Sequence, residues 1–226
     1  MKRKGFKGIL LLLSMLFALT GCSVSEATQH GMAVDTIQAE DVLLRVDFLN
    51  VGQADCALLS TKGHYMVIDG GNNGDADTIL SYLEGQGVEK LDAVVGTHPH
   101  EDHIGSLDAI INHFDVDAVY MPKIMHTSKT FEDVLDAVAN KGLKIKSPDP
   151  GDTIDFNGLE IEVLGPQREY KDFNNNSIVL KVNAGETAFL FTGDAEETAE
   201  KDILQADYDL QADVLKVGHH GSSTSS

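Results

Sequence analysis

Tryptophan is absent from this chain, cysteine occurs only twice and proline five times in 226 residues. Two cysteines cannot build a disulfide scaffold. Basic residues are scarce: 17 Lys and Arg stand against 36 Asp and Glu, a formal charge of -19 that opposes gripping nucleic acid by overall field. No low-complexity tract or internal repeat is visible apart from the Ser/Thr tail, and no apolar run spans a bilayer comfortably as a helix. What remains, 42% hydrophobic and 23% charged, is the composition of a globular protein with one sizeable domain or two small ones.

The N-terminus carries targeting features. Lys2, Arg3, Lys4 and Lys7 precede an apolar run from Ile9 to Leu19 broken only by Ser14, the pattern of a signal peptide. Leu19-Thr20-Gly21-Cys22 then resembles the bacterial lipobox, cut before a cysteine that carries lipid. The resemblance implies a signal peptide over 1–21, lipidation at Cys22, a tether over 22–40 and a domain over 41–226, anchored at the extracytoplasmic face of the cell membrane. The alternative is an ordinary secreted protein. Removing residues 1–21 takes four positive charges and no negative ones, so the mature chain carries -23. Cys56, inside the apolar run Ala54–Leu59, reads as a buried structural thiol.

Segments of two periods follow one another. Val42–Leu49, Asp55–Leu59, Tyr65–Asp69, Leu91–Gly96 and Ala118–Met121 read as strands; Ala76–Leu83, Leu107–Phe114 and Phe131–Ala139 read as helices. In the second half Thr153–Phe156, Leu159–Leu164, Ser177–Val182, Ala188–Phe191 and Asp213–Val217 are strand-like, and Ala195–Leu204 is helical. Two packed sheets flanked by helices, an α/β architecture, fit this order.

The chemistry concentrates just past the strand Leu91–Gly96. His98, His100, Asp102 and His103 occupy six residues, and imidazole with carboxylate is the donor set that suits Zn2+, Mn2+ or Fe. Pro99 keeps His98 extended, so His98 and His100 point the same way in a loop while Asp102 and His103 turn toward a second point. That spacing suggests two ions. His30, His64, His113 and His126 show no comparable grouping, although His126 lies in a polar loop that can border a substrate.

Thr97–Gly105 (THPHEDHIG) matches the HxHxDH signature of the metallo-β-lactamase fold superfamily. Phe48–Asp55 (FLNVGQAD) resembles the FxxVGQGD opening of the branch containing the extracellular domain of ComEC competence proteins, with Ala54 in place of a usual Gly. Ile68-Asp69-Gly70-Gly71, Phe191-Thr192-Gly193-Asp194 and Leu215–Ser222 (LKVGHHGS) resemble three further motifs in the right order. The likeness implies a four-layer αββα sandwich with ligands on loops at one edge. His98 and His100 would hold one divalent ion (Zn2+ or Mn2+), Asp102 and His103 a second, with Asp194 bridging. His219, preferred slightly over His220, would complete the second site. Asp69 would orient ligands, or merely form a turn before two glycines; Asp194 could instead cap the following helix. The superfamily usually supplies one more histidine where Asn174-Asn175-Asn176-Ser177 stands, so Asn175 or Asn176 would lend a carbonyl or support the site, or simply form a turn. The family continues past the last histidine motif with a strand and a helix, so the chain is expected to be C-terminally incomplete with an open sheet edge.

The implied activity is metal-dependent hydrolysis through an activated water, with Asp102 and Asp194 catalytic and Lys216, Ser222, Ser223 and Thr224 offering donors to a phosphate. A phosphodiesterase or nuclease is expected, acting on DNA or on a smaller wall-polymer phosphodiester, the latter suiting the acidic chain better. An amide or β-lactam hydrolase, and a surface-anchored binding protein with a degenerate metal site, are the alternatives. No specific protein partner is evident.

Overall fold

A computed structural model describes residues 43–225. The signal peptide, Cys22, the tether and His30 lie outside the described residues. Strands β1 (Arg45–Phe48), β2 (Ala57–Thr61) and β3 (His64–Ile68) run antiparallel. Lys62-Gly63 turns β2 into β3 with both φ angles positive (49° and 82°), as a two-residue hairpin matched to strand twist requires. After α1 (Ala76–Gly85) come β4 (Lys90–Leu91), β5 (Ala93–Val95), α2 (Glu101–Ile104), α3 (Leu107–His113), β6 (Asp115–Val116), β7 (Val119–Tyr120), α4 (Lys129–Asn140) and β8 (Ile145–Lys146). The second half comprises β9 (Thr153–Phe156), β10 (Leu159–Gly165), β11 (Val179–Ala184), β12 (Thr187–Phe191), α5 (Glu197–Gln205) and β13 (Val214–Lys216).

Two sheets result, ordered β1-β2-β3-β5-β7-β8 and β13-β12-β11-β10-β9, with β4 and β6 as a separate pair. Alternation along the strands shows how they stack. Ala57, Leu59, Met66, Ile68, Ala93 and Val95 face one way and share a core with Ile154, Phe156, Ile161, Val163, Leu180 and Val182 of the second sheet. The interleaved Leu58, Val67, Val94 and Val119 face the other way, against Ile79 and Leu83 of α1, Ile110 of α3 and Val134 and Val138 of α4. On the far side of the second sheet, Leu164 and Val179 pack on Ala199 and Ile203 of α5. Helix, sheet, sheet, helix: the αββα order is written in the period-two burial.

Parallel strands β3, β5, β7 and β8 all end at the same edge, where loops follow. The single extended loop expected over His98–His103 is not what forms there. His100 is extended (φ -72°, ψ 149°), but Asp102 and His103 belong to the single turn α2. Pro99 restrains only the residue before it, so nothing prevents helix from Glu101 onward. Helix α5 starts at Glu197, two residues later than the apolar pattern suggests, with Glu196 rather than Asp194 at its N-cap. The two-residue strands β4, β6 and β8 carry too little pattern to be read from sequence.

The α2 turn is stitched to the loop after β3. Gly70 N donates to His103 O (2.6 Å), Gly105 N to Gly71 O (2.8 Å) and Ser106 Oγ to Asn72 O (2.6 Å). A Cβ on Gly105 would lie 2.2 Å from Asn72 C, so only glycine permits this approach. Gly105→Ala is expected to destabilise by about 3 kcal/mol or more, since backbone on both sides must move. Calorimetry should then show Tm lowered by roughly 6–12 °C.

Asp92 fastens β3 to the β4–β5 connection, with Oδ1 2.8 Å from His64 Nδ1 and Oδ2 accepting from Tyr65 N at 3.0 Å. Burial pushes this carboxyl up, yet the His64 and Tyr65 bonds outweigh it and leave the group below its ordinary value. A carboxyl depressed in the folded state stabilises fully above its unfolded value, and that stability is lost as pH falls through the folded one. The stability gap between the parent and Asp92→Asn, measured by urea unfolding, is therefore expected to be full at pH 7 and to close as pH drops below the carboxylate range.

Candidate metal centre

Five chain segments converge at the strand-end edge: the loop after β1, the loop after β3, the β5–α2 segment, the β12–α5 loop and the turn after β13. His98 and His103 are fully buried and Asp194 is 2% exposed. Asp194 lies between two groups of imidazoles. Its Oδ2 is 3.8 Å from His98 Nε2 and 3.5 Å from His220 Nε2, and its Oδ1 is 3.1 Å from His103 Nε2. His98 Nε2 and His100 Nδ1 are 3.0 Å apart, and His220 Nε2 lies 3.2 Å from Asp102 Oδ2. Donors about 2.1 Å from a tetrahedral ion stand roughly 3.4 Å apart, so these separations fit shared cations.

Asp69 supplies the scaffold beneath. Its residue sits at φ 61°, a left-handed conformation unusual outside glycine. From there its carboxylate accepts from Thr97 N (2.7 Å) and Thr97 Oγ1 (2.8 Å) and meets His103 Nδ1 at 2.8 Å. Holding Nδ1 in this way turns His103 Nε2 toward Asp194. Asp69 thus stands where an orienting group belongs, with burial raising its pKa.

One member was not anticipated from sequence. Asp55, His103, Asp194 and His220 each offer an atom such that all lie within 4.8 Å of one another. Asp55 ends the Phe48–Asp55 motif, and the acid at the close of that motif was the available signal. Lys216 Nζ forms an ion pair with Asp55, lies 3.9 Å from Asp194 Oδ1 and donates to Gly193 O at 3.1 Å. Asp55 Oδ2, His103 Nε2 and Asp194 Oδ1 are nevertheless buried without a hydrogen-bond partner. Lys216 lies against the first and the other two stand 3.1 Å apart, and buried donor atoms short of well-formed hydrogen bonds at one point fit a shared cation.

Other expectations are redistributed. The preference for His219 over His220 reverses: His220 joins the four-residue group, whereas His219 reaches Asp194 only at 4.0 Å. His219 Nδ1 instead meets Thr224 Oγ1 (2.7 Å) and Glu196 Oε1 (3.1 Å). Both histidines have left-handed backbone (φ 45° and 52°), which sends their side chains apart. Asn175 and Asn176 are committed elsewhere. Asn175 Oδ1 accepts from Glu196 N (3.2 Å) and Ala199 N (3.0 Å), tying down the start of α5, and Asn176 Oδ1 accepts from Tyr170 N (3.0 Å). Ser222 Oγ is occupied in the local turn by Thr224 N (3.4 Å) and Thr224 Oγ1 (3.3 Å). Cys56 is buried, and that burial pushes its thiol far up.

The charge states follow from the packing. Burial lowers His98 well below its usual value and lowers His100 as well, keeping both neutral as ligands must be. Burial also opposes charge on His103, but Asp69 and Asp194 outweigh it and raise the imidazole to about 10. Asp194 is pushed up by burial and pulled further down by His103, His98 and His220, to well below the usual carboxylate range. A proton on His103 offsets part of the carboxylate charge around it.

A family model described as the metallo-beta-lactamase superfamily matches residues 49–226. ComE operon protein 3 of Bacillus subtilis (strain 168) is 29% identical over 199 residues, covering 80% of this chain and 26% of that protein. Competence protein ComA of Neisseria gonorrhoeae is 28% identical over 188 residues, covering 78% and 24%. The chain therefore spans about a quarter of the length of these relatives. The solved Rm3 metallo-beta-lactamase shares the fold at TM-score 0.54 and 12% identity, over 77% of this chain and 75% of that one.

Zn2+ or Mn2+ added to chelator-stripped protein is expected to raise Tm, by about 2.7 kcal/mol of stabilisation at a hundredfold excess over Kd. Asp194→Asn should abolish most of that shift. Because the ion displaces the His103 proton, uptake is expected to tighten from pH 6 to pH 8, by about tenfold per unit for one proton released. Titration calorimetry in two buffers reads both the affinity and the proton.

Proposed function

Because this chain belongs to the metallo-beta-lactamase superfamily, we propose that it is a metal-dependent phosphodiesterase or nuclease, lipid-anchored through Cys22 at the outer face of a bacterial membrane. One observation carries the reading: Asp194 stands between the His98–His100 pair and the His103–His220 pair. His98 and His100 would hold one divalent ion. His103, His220 and Asp102 would hold another, with Asp194 shared and Asp55 alongside. A bound divalent ion, Zn2+ or Mn2+, lowers the pKa of a water and polarises a phosphoryl oxygen.

The chain's own residues then divide the work. Asp69 fixes the tautomer of His103, so that Nδ1 is held and Nε2 is free to ligate. Asp194 orients the attacking water, and Asp102, exposed enough to meet substrate, takes up its proton. Lys216 approaches the same carboxylates and places positive charge beside the reacting phosphate.

Phosphodiester chemistry is preferred over β-lactam hydrolysis because asparagines stand where a further first-site histidine is expected, and Asn175 and Asn176 are spent on backbone groups. The names of the relatives, a competence operon product and a competence protein, support nucleic acid as substrate. Among the described residues no helix is long and apolar enough to cross a membrane, so the proposed attachment rests on Cys22.

Hydrolysis of bis-p-nitrophenyl phosphate with and without Zn2+ or Mn2+ tests this directly. Metal-dependent turnover is expected, lost in Asp102→Ala and Asp194→Ala and lowered roughly 10- to 100-fold in Asp69→Ala. Nitrocefin should remain intact. Near-stoichiometric metal with no turnover of any phosphodiester would instead favour a surface-anchored binding protein.

A further inference from the structure

Beside the metal centre lies a cleft between two loops, 122–126 and 166–173. A cavity of about 390 Å³ there is lined by Lys123, Ile124, Met125, Glu169, Lys171 and Phe173, among others. A second recess of about 190 Å³ shares Lys123, Ile124 and Glu169 with it and adds Asp149 and Arg168, the latter paired with Asp202. The larger volume is within the range of small-molecule sites.

Phe173 joins this cleft to the centre. Its ring meets His100 at 5.7 Å and His126 at 4.6 Å, both nearly edge-to-face, so an aromatic row runs from a proposed metal-binding histidine into the cleft. Met125, 75% exposed, forms an apolar rim.

Charge in the cleft adds to this. Seven other basic residues among those described sit within ion-pair distance of a carboxylate. Lys123 and Lys171 are exposed and have neither an ion pair nor a hydrogen bond among the described residues. Glu169 is the one carboxylate in the larger cavity. Lys62 and Lys144 are likewise exposed and unpaired among the described residues, but Lys123 and Lys171 share one cavity with an aromatic ring.

We propose that this cleft is a nucleotide subsite for a single-stranded polynucleotide: Lys123 and Lys171 hold backbone phosphates next to the scissile one, and a base stacks along Phe173. Cations for the phosphate and an aromatic ring for the base are the combination that binds single strands without reading sequence. A polymer of glycerol phosphate would use the lysines and leave the ring idle. The proposal deepens the phosphodiesterase reading and rests on it for the position of the scissile bond, but binding can be measured without turnover.

The test uses the full chain and a fluorescein-labelled phosphorothioate oligothymidylate, which resists hydrolysis, followed by fluorescence anisotropy. The Lys123→Glu/Lys171→Glu double variant is expected to bind at least tenfold more weakly in low salt. Its salt dependence should be shallower by about 1.4 in slope, ~0.7 for each phosphate no longer neutralised. Lys123→Gln/Lys171→Gln should give an intermediate loss, and Phe173→Ala about fivefold or more. Lys62→Glu/Lys144→Glu, with the same change in net charge but away from the cleft, should change binding less than twofold. A glycerol phosphate polymer of equal charge should compete at least tenfold more weakly than unlabelled oligothymidylate. Equal loss in the two charge-reversed variants, no loss in either, or equal competition by the two polymers would overturn the subsite. Lysine-dependent binding by a protein that cleaves no phosphodiester would keep the subsite and refute the hydrolytic reading.

Discussion

Burying carboxylates beside imidazoles with nothing between them is unfavourable, and this constraint governs one whole edge of the molecule. Asp194 is 2% exposed and His98 and His103 are fully buried, yet three donor atoms among Asp55, His103 and Asp194 lack hydrogen-bond partners. A core built for stability alone would place apolar groups there. The arrangement makes sense when a cation is shared among these groups, and the Lys216 ammonium beside Asp55 adds positive charge at the same place.

Holding such a cluster requires rigid support on every side, and the sandwich provides it. Parallel strands deliver Asp69 and His98 to the same edge, and β12 paired parallel with β13 brings Asp194 and His220 from the other sheet. Ile178 N donates to Thr97 O at 2.9 Å, tying the two sheets together directly beneath the centre. Residues in left-handed backbone at Asp69, His219 and His220 mark where the fold accepts strain to aim side chains.

Much of this was legible in the sequence because the signals were local. Alternating apolar residues give strands such as Thr153–Phe156, where every second residue is buried. The grouping of His98, His100, Asp102 and His103 was equally plain. What could not be read was set by distance along the chain. Asp55 is brought to the centre by backbone bonds to distant segments: Asp55 N donates to Asp102 O at 3.0 Å, and Asp55 O accepts from Gly71 N at 2.8 Å. Choosing His220 over His219 depends on two consecutive positive φ angles, which sequence does not announce for histidine. Asn175 and Asn176 stand where a ligand would be expected, but buried backbone groups around α5 and Tyr170 need their amides more.

The central claim is that these imidazoles and carboxylates share a cation. Anomalous diffraction at a metal absorption edge, from crystals grown with Zn2+ or Mn2+, tests it most directly. The account predicts a peak about 2.0–2.2 Å from His103 Nε2, His220 Nε2 and an Asp194 oxygen. A map with no anomalous peak at that point, although metal is present in the crystal, would contradict it.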